Sequence, residues 1–301
     1  MSVTIFPASS PDEKHRSLRI YNDVWPHRAV TADHVEAWER ASIATIDLLG
    51  TVGGVDAGSG AGSINRGEAH VATLIVTVLP AHRRRGVGSA LFTALTAWAA
   101  DEDVAELEVT ADADDVESIG FAHRRGFTEH SRELGLALEL DARELTPVAP
   151  PAGTDIALLA ARPELAEGVY DVAAEALPDI PGNEDWKAPP FEDFAASHLR
   201  GEIFVAVAGG EVVAYAKLRA RPDGRTFDHG MTAVKRNARG RGIASALKRA
   251  QIVWAKEHGV ERLTATNEER NAPMRRVNES LGYRPAPGRV FLRRPVEATT
   301  R

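Results

Sequence analysis

Arg239-Gly240-Arg241-Gly242-Ile243-Ala244 and, 156 residues before it, Arg83-Arg84-Arg85-Gly86-Val87-Gly88 spell one short pattern twice, arginines running into small residues. Both copies stand between the same neighbours. Before each comes a β-branched apolar run, Val71–Val78 or Thr226–Val234, as a buried strand requires. After each, Val87, Leu91, Leu95 and Trp98, or Ile243, Leu247, Ala250 and Trp254, recur at helical spacing and predict an amphipathic helix. Small residues let a backbone approach a ligand closely, and the first N–H groups of a helix have no partner within it. Such a bend cradles an anion, helped by the helix dipole, and arginine adds charge-assisted hydrogen bonds to phosphate. A pyrophosphate is the natural guest. A Walker loop would need a closing Gly-Lys-Ser/Thr, and a dinucleotide fingerprint three glycines with an acid ending the next strand; neither turn has them. Solvated arginines on an ordinary glycine bend explain one such turn, but not two in the same context.

The offset of 156 holds beyond the turns, from Leu91 and Leu247 through Trp98 and Trp254, Leu107 and Leu263, and Gly126 and Gly282, to Phe127 and Tyr283. A constant offset over that distance is an internal repeat. Each copy predicts a strand, the basic turn, a helix and a second strand (Leu107–Thr110 or Leu263–Thr266). A short helix stopped by Gly126 or Gly282 follows, and a last strand such as Glu133–Leu140 closes the half. At 301 residues the chain accommodates two domains. Prolines 147, 150 and 151 mark a linker, which gives an N-terminal domain over 1–145, a linker over 146–154 and a C-terminal domain over 155–301.

Composition narrows the function classes. With no cysteine, disulfides, thiolate zinc sites and a cysteine nucleophile are excluded, and the histidines show no metal-binding spacing, so no metal is expected. Met1–Arg16 lacks the apolar core of a signal peptide, and the longest apolar run, Val71–Pro80, is too short to span a bilayer. A soluble, cytoplasmic protein without a membrane partner is the expectation. The net charge of −7 gives no global attraction to nucleic acid, while the local arginine clusters point to a small anionic ligand.

The pattern Arg-x-x-Gly-x-Gly/Ala, after a strand ending in valine and before an amphipathic helix, resembles the acetyl-CoA motif of the GNAT acetyltransferase superfamily, and both turns match it in full. Downstream, Asn271, Met274, Asn278, Leu281, Gly282 and Tyr283 resemble that family's second motif. The resemblance implies an α/β fold of the α+β kind. It consists of two tandem domains, each a mixed, mostly antiparallel sheet flanked by helices. It also implies acetyl-CoA as co-substrate and transfer of the acetyl group to an amine. Cofactor contact is then expected from Thr232, Ala233, Val234, Arg239, Gly240, Arg241, Gly242, Ile243, Ala244, Ser245, Asn271 and Asn278. In the first half it is expected from Val76, Val78, Arg83, Arg84, Arg85, Gly86, Val87, Gly88 and Ser89.

The family often places a base six residues before the strand's last valine, which lands on Asp228. Strand alternation predicts Asp228, Gly230, Thr232 and Val234 on one face and His229 on the other. The same count in the first half reaches Ala72, with His70 the nearest substitute, and Ala111 and Asp115 stand where the second half has Asn267 and Asn271. The C-terminal half is therefore expected to be catalytic and the N-terminal half degenerate. The family's usual thiolate-protonating tyrosine is replaced by Asn278, and Tyr283 is read as a packed aromatic. Acids and aromatics over Pro178–Phe194, with Asp179, Trp186 and Phe191 among them, suit a cationic amine or a solvated loop. Three functions remain: a small-molecule N-acetyltransferase, a protein lysine or N-terminal acetyltransferase, and a non-catalytic tandem acyl-CoA sensor.

Overall fold

The computed structural model describes residues 2–140, 149–180 and 186–296. The first half of the chain forms β1 (Val3–Pro7), α1 (Pro11–Val24), α2 (Ala32–Ala41), β2 (Ser42–Val52), β3 (Val55–Asn65), β4 (Val71–Val78), α3 (Val87–Asp101), β5 (Glu106–Asp112), α4 (Val116–His123) and β6 (Thr128–Glu139). The second half forms β7 (Thr154–Leu158), α5 (Ala166–Ala176), α6 (Phe191–His198), β8 (Glu202–Ala208), β9 (Glu211–Ala220), β10 (Thr226–Val234), α7 (Ile243–Glu257), β11 (Arg262–Glu268), α8 (Ala272–Ser280) and β12 (Arg284–Pro295). The mixed α/β class and mostly antiparallel pairing are as expected from the sequence. No helix among the described residues is long and apolar enough to cross a membrane.

Packing divides this chain into two compact units that are not its two contiguous halves. Unit 1 is Met1–Ser131 with Val290–Arg301, and unit 2 is Arg132–Arg289. The reason lies in the closing strands. The predicted strand Glu133–Leu140 forms within β6, but its residues 133–139 pair antiparallel with β11, in the sheet of unit 2. There Leu136 and Leu138 are buried beside Leu247 and Leu263. Conversely, β12 delivers Val290 and Leu292 to the core of unit 1, where Arg293 reaches Glu108 and Glu68, each at 2.7 Å. Each fully buried leucine contributes about 1.5–3 kcal/mol, so the closing strand is a substantial part of each core. Of the predicted linker, residues 146–148 lie outside the described residues, and the chain from Ala149 to Gly153 leads into β7.

In unit 1 the sheet order is β1-β2-β3-β4-β5 and then the end of β12. Helix α3 lies unusually close to it because β3 carries Gly58, Gly60 and Gly62 on alternate positions. A Cβ at Gly62 would come within 2.5 Å of the Trp98 ring, and one at Gly60 within 3.2 Å of Leu95. In unit 2 the order is β7-β8-β9-β10-β11-β6 followed by the start of β12. Ala214 and Ala216 of β9 lie in the same core as Leu247 of α7.

Both units share one irregularity that matters for function. The parallel neighbours β4 and β5 are in register only from Val71↔Glu106 to Leu74↔Val109, and β10 and β11 only from Thr226↔Arg262 to Asp228↔Thr264. Beyond those points the strands run on without pairing with each other, so each sheet splays open toward its basic turn.

Candidate active site

The two turns have the same backbone shape. Residues 83 and 239 are extended, residues 84 and 240 have φ of 62° and 73°, and Gly86 and Gly242 stand at helix N-caps with φ of 88° and 78°. Left-handed backbone explains the glycines; a Cβ at Gly86, Gly240 or Gly242 would meet open space. Arg84 holds the same conformation without being glycine, at some cost in strain. Neither helix has a side-chain cap, so the leading N–H groups of α3 and α7 face outward, next to exposed arginines. Arg83 and Arg239 each turn Nε back to the carbonyl of the last strand valine, at 3.4 and 3.1 Å. Val87 and Ile243 are buried, so these two residues offer their backbone to a ligand and their side chains to the core.

Around these matching turns the units differ. In unit 1, Arg125 lies with its guanidinium 3.4 Å from the centre of the Phe121 ring and donates to Ser89 Oγ at 2.8 Å. Gly88 packs against Val78 and Phe121. In unit 2 the corresponding positions are Leu281, Val277, Ser245 and Ala244, so no guanidinium from the end of α8 crosses the start of α7. The arginines of unit 2 are drawn elsewhere. Asp179 accepts from Arg236 at 2.7 and 2.8 Å and lies 2.7 Å from Arg239, and these contacts hold its carboxyl well below the ordinary range.

Strand β10 contains a bulge that β4 lacks. The pairing with β9 passes from His229↔Leu218 to Thr232↔Ala216, so Gly230 and Met231 share one step of the partner strand and have no register partners. In unit 1 the pairing of β4 with β3 continues from residue 72 to 78 without a shift. The extra residue reverses the alternation predicted from sequence. Phe227 and Val234 pack on the α7 side, whereas Met231 and Ala233 pack on the α5 side. His229, rather than Asp228, therefore shares the face of Thr232 and Val234, and it occupies the place that Leu74 holds in unit 1.

Asp228 lies on the opposite face, already engaged. Its Oδ1 accepts from Arg221 at 2.6 and 2.8 Å and from Thr264, and its Oδ2 accepts from Arg219 at 3.2 Å. Burial pushes the carboxyl up, but the hydrogen bonds from Arg221 and Thr264 and the two arginine charges outweigh it and leave it below its ordinary value. A carboxylate held in this way is a poor proton acceptor at neutral pH. The expectation that Asp228 acts as base is corrected accordingly: the geometry makes it an anchor where β10 and β11 part. His70, the substitute considered for unit 1, is exposed just before β4.

The remaining predicted residues have definite places. Thr232 Oγ1 is buried without a protein partner, and Ala233 is buried on the far face, leaving only its backbone for the cleft. Val76, Val78 and Val234 are partly buried on the helix side of their strands. Asn271 and Asp115 cap α8 and α4, accepting from Met274 N and Ser118 N. Asn278 is fully buried and donates to Asn267 Oδ1 at 2.7 Å, joining α8 to the end of β11 that lies beyond its pairing with β10. Tyr283, read from sequence as a packed aromatic, also hydrogen-bonds His229 through its hydroxyl. Of the acidic stretch, 181–185 lie outside the described residues. Trp186 and Phe191 pack with Tyr170, Phe194 and His198 instead of standing free for a cation. Sequence reading missed two buried polar residues of α7, Lys248 and Gln251. The repeat itself holds the signal, since the same offset sets them against Phe92 and Leu95.

A family model described as acetyltransferase (GNAT) family matches residues 12–127 and again 166–283. No curated protein sequence matches. Among solved structures, a tandem GNAT protein from the clavulanic acid biosynthesis pathway superposes with a TM-score of 0.80 at 22% identity, over 99% of this chain and all of that one. A GCN5-related N-acetyltransferase from Sphaerobacter thermophilus gives 0.75 at 18% identity, over 98% of this chain and 96% of that one. At such identities the likeness shows the fold.

Proposed function

Because the chain belongs to the acetyltransferase (GNAT) family, with both halves matched, we propose that unit 2 is a cytoplasmic N-acetyltransferase that moves an acetyl group from acetyl-CoA to a primary amine of a small molecule. The observation that carries this reading is the coincidence, in unit 2 alone, of a strand splay, a bulge in the splayed strand and an uncapped basic turn at its end. The residues fit the cofactor. The N–H groups of residues 242–245, with Arg239 and Arg241, would hold the pyrophosphate, and the free edges of β10 and β11 would flank the pantetheine arm. Bound there, the thioester supplies an activated acetyl group. Gly230 and Met231, without register partners on β9, offer backbone N–H donors where negative charge develops on the carbonyl oxygen.

Unit 1 keeps the turn but has no bulge, and Leu74 stands where unit 2 has His229. We assign it a non-catalytic role; the sequence repeat over 1–145 and 155–301 differs from the two units only by the exchange of their closing strands. Titration with acetyl-CoA in a calorimeter, followed by a thiol-release screen over small amines, tests the proposal. One strong site and turnover with at least one amine are expected. Absence of binding heat, or binding with no amine consumed, overturns it.

A further inference from the structure

Behind the bulge, unit 2 buries a set of polar side chains where a core is normally apolar. Lys248 is 2% exposed, and Gln251 and Asn278 are fully buried. Asn278 Oδ1 and Thr232 Oγ1 are shut from solvent without a protein partner, and the Gln251 amide meets only the His229 ring. No carboxylate among the described residues pairs with Lys248. The other unit shows what the fold requires at these places: Leu74, Phe92, Leu95, Ala122 and Phe127 stand where unit 2 has His229, Lys248, Gln251, Asn278 and Tyr283. An apolar solution was therefore available. Each buried polar atom left unpaired costs about 1–3 kcal/mol, so a cluster of them persists only if water or a ligand satisfies them and the arrangement serves a purpose.

We propose that the space between α7, α8, β10 and the start of β12 holds bound water and acts as a proton reservoir for the β10–β11 cleft, with Lys248 as the group that stores the proton. The inference rests on the acyl-transfer reading given above. Two side chains connect the interior to the cleft: Thr232, beyond the bulge, and Asn278 through Asn267, where β11 has parted from β10. When the amine nitrogen bonds to the acetyl carbon, the C–S bond breaks and its electron pair leaves with sulfur. One proton departs from that nitrogen and one is taken up by the sulfur. Lys248 Nζ accepts the first through water and returns it for the second, so the reservoir ends each cycle as it began. This role fits its setting, because burial pushes the Lys248 ammonium down to about 7. Burial, with the Lys248 charge, outweighs the hydrogen bond with the Gln251 amide and holds His229 well below its ordinary range, so the ring is neutral. Burial also raises the Tyr283 hydroxyl. Among the described residues these three are the titratable groups packed there: Lys248 from α7, His229 from β10 and Tyr283 just before β12. Helix α8 and β11 contribute amides, and β6 and β9 add only apolar side chains such as Leu136, Leu138, Ala214 and Leu218.

Lys248→Met and Tyr283→Phe test the proposal, since unit 1 shows that apolar groups fit both places, with the exposed Lys256→Met as control. Lys248→Met is expected to melt at or above the wild-type temperature and to bind acetyl-CoA unchanged. Its kcat should fall at least about tenfold and lose the pH dependence near 7. Tyr283→Phe should lower kcat less, and the control should change nothing. If Lys248→Met retains wild-type kcat and pH profile, the reservoir is refuted while acetyl transfer stands. If wild type neither binds nor turns over acetyl-CoA, the enzyme reading fails separately, and a high-resolution crystal structure decides on the interior. Ordered waters on Asn278 Oδ1 and Thr232 Oγ1 that lead to Lys248 support it; side chains closing on both atoms without water overturn it.

Discussion

The two basic turns agree in backbone to within about a dozen degrees of φ at each left-handed position, yet one leads into a chemically equipped cleft and the other does not. What separates them lies behind the turn. One added residue in β10 moves a histidine onto the helix side of the strand, and five core positions change from apolar to polar. The basic turn and the polar set behind it are thus separable layers of this fold: the turn depends on local backbone geometry, and the polar set on distant core positions.

The largest effect should come from breaking the turns themselves. Gly242→Val forces a β-branched residue to φ of 78°, a strain of about 1–3 kcal/mol that moves the leading N–H groups. Turnover should fall at least about 100-fold, with loss of calorimetric binding. The matching Gly86→Val should leave turnover within about twofold. Equal losses from both would show that the two turns act together.

Next in size is the anchor. Asp228→Asn should cost about 2 kcal/mol of stability at pH 7 in denaturant titrations, because it removes the charge facing Arg221 and Arg219. Since the folded carboxyl lies below its unfolded value, its contribution is complete above about pH 4 and is lost as pH falls through the folded value. The gap between variant and wild type should therefore narrow under acid. The kcat profile from pH 6 to 9 should keep its shape, and a lost acidic limb would restore Asp228 as the base.

Gly62→Ala probes the close approach of α3 in unit 1, where a new Cβ meets the Trp98 ring. A loss of about 1–2 kcal/mol is expected, with the acetyl-CoA affinity of unit 2 unchanged. Smallest of all, Asp179→Ala frees Arg236 and Arg239 and should tighten acetyl-CoA binding about threefold at low salt, fading as ionic strength rises. Weaker binding instead would show that Asp179 orients the arginines for the cofactor.

Much of the fold was legible from sequence because it is written in local patterns. The strands Val71–Val78 and Thr226–Val234, the helices after them and the turn between announce themselves by periodicity and by glycine. The bulge was not legible. Alternation assumes one residue per step, and nothing in Asp228-His229-Gly230-Met231 marks the extra one except a glycine that strands also tolerate. Asp228 was therefore placed on the wrong face, and His229 was set aside for the same reason. The partner of each closing strand was likewise hidden, because a strand's own residues specify a buried face without naming its owner. Nothing in the spacing around Lys248 marks it as buried, and only comparison with Phe92 reveals it.

The crossed ownership of β6 and β12 bears on how such a chain can evolve and be handled. A fragment cut in the stretch between β6 and β7 would carry the wrong final strand, so neither piece inherits a finished sheet, and the two should recover only when mixed. The same dependence protects the N-terminal half from loss: deleting it would strip β11, with Asn267, of its neighbour. Each copy of the repeat is thus indispensable to its twin as a supplier of scaffold, whatever it does on its own account.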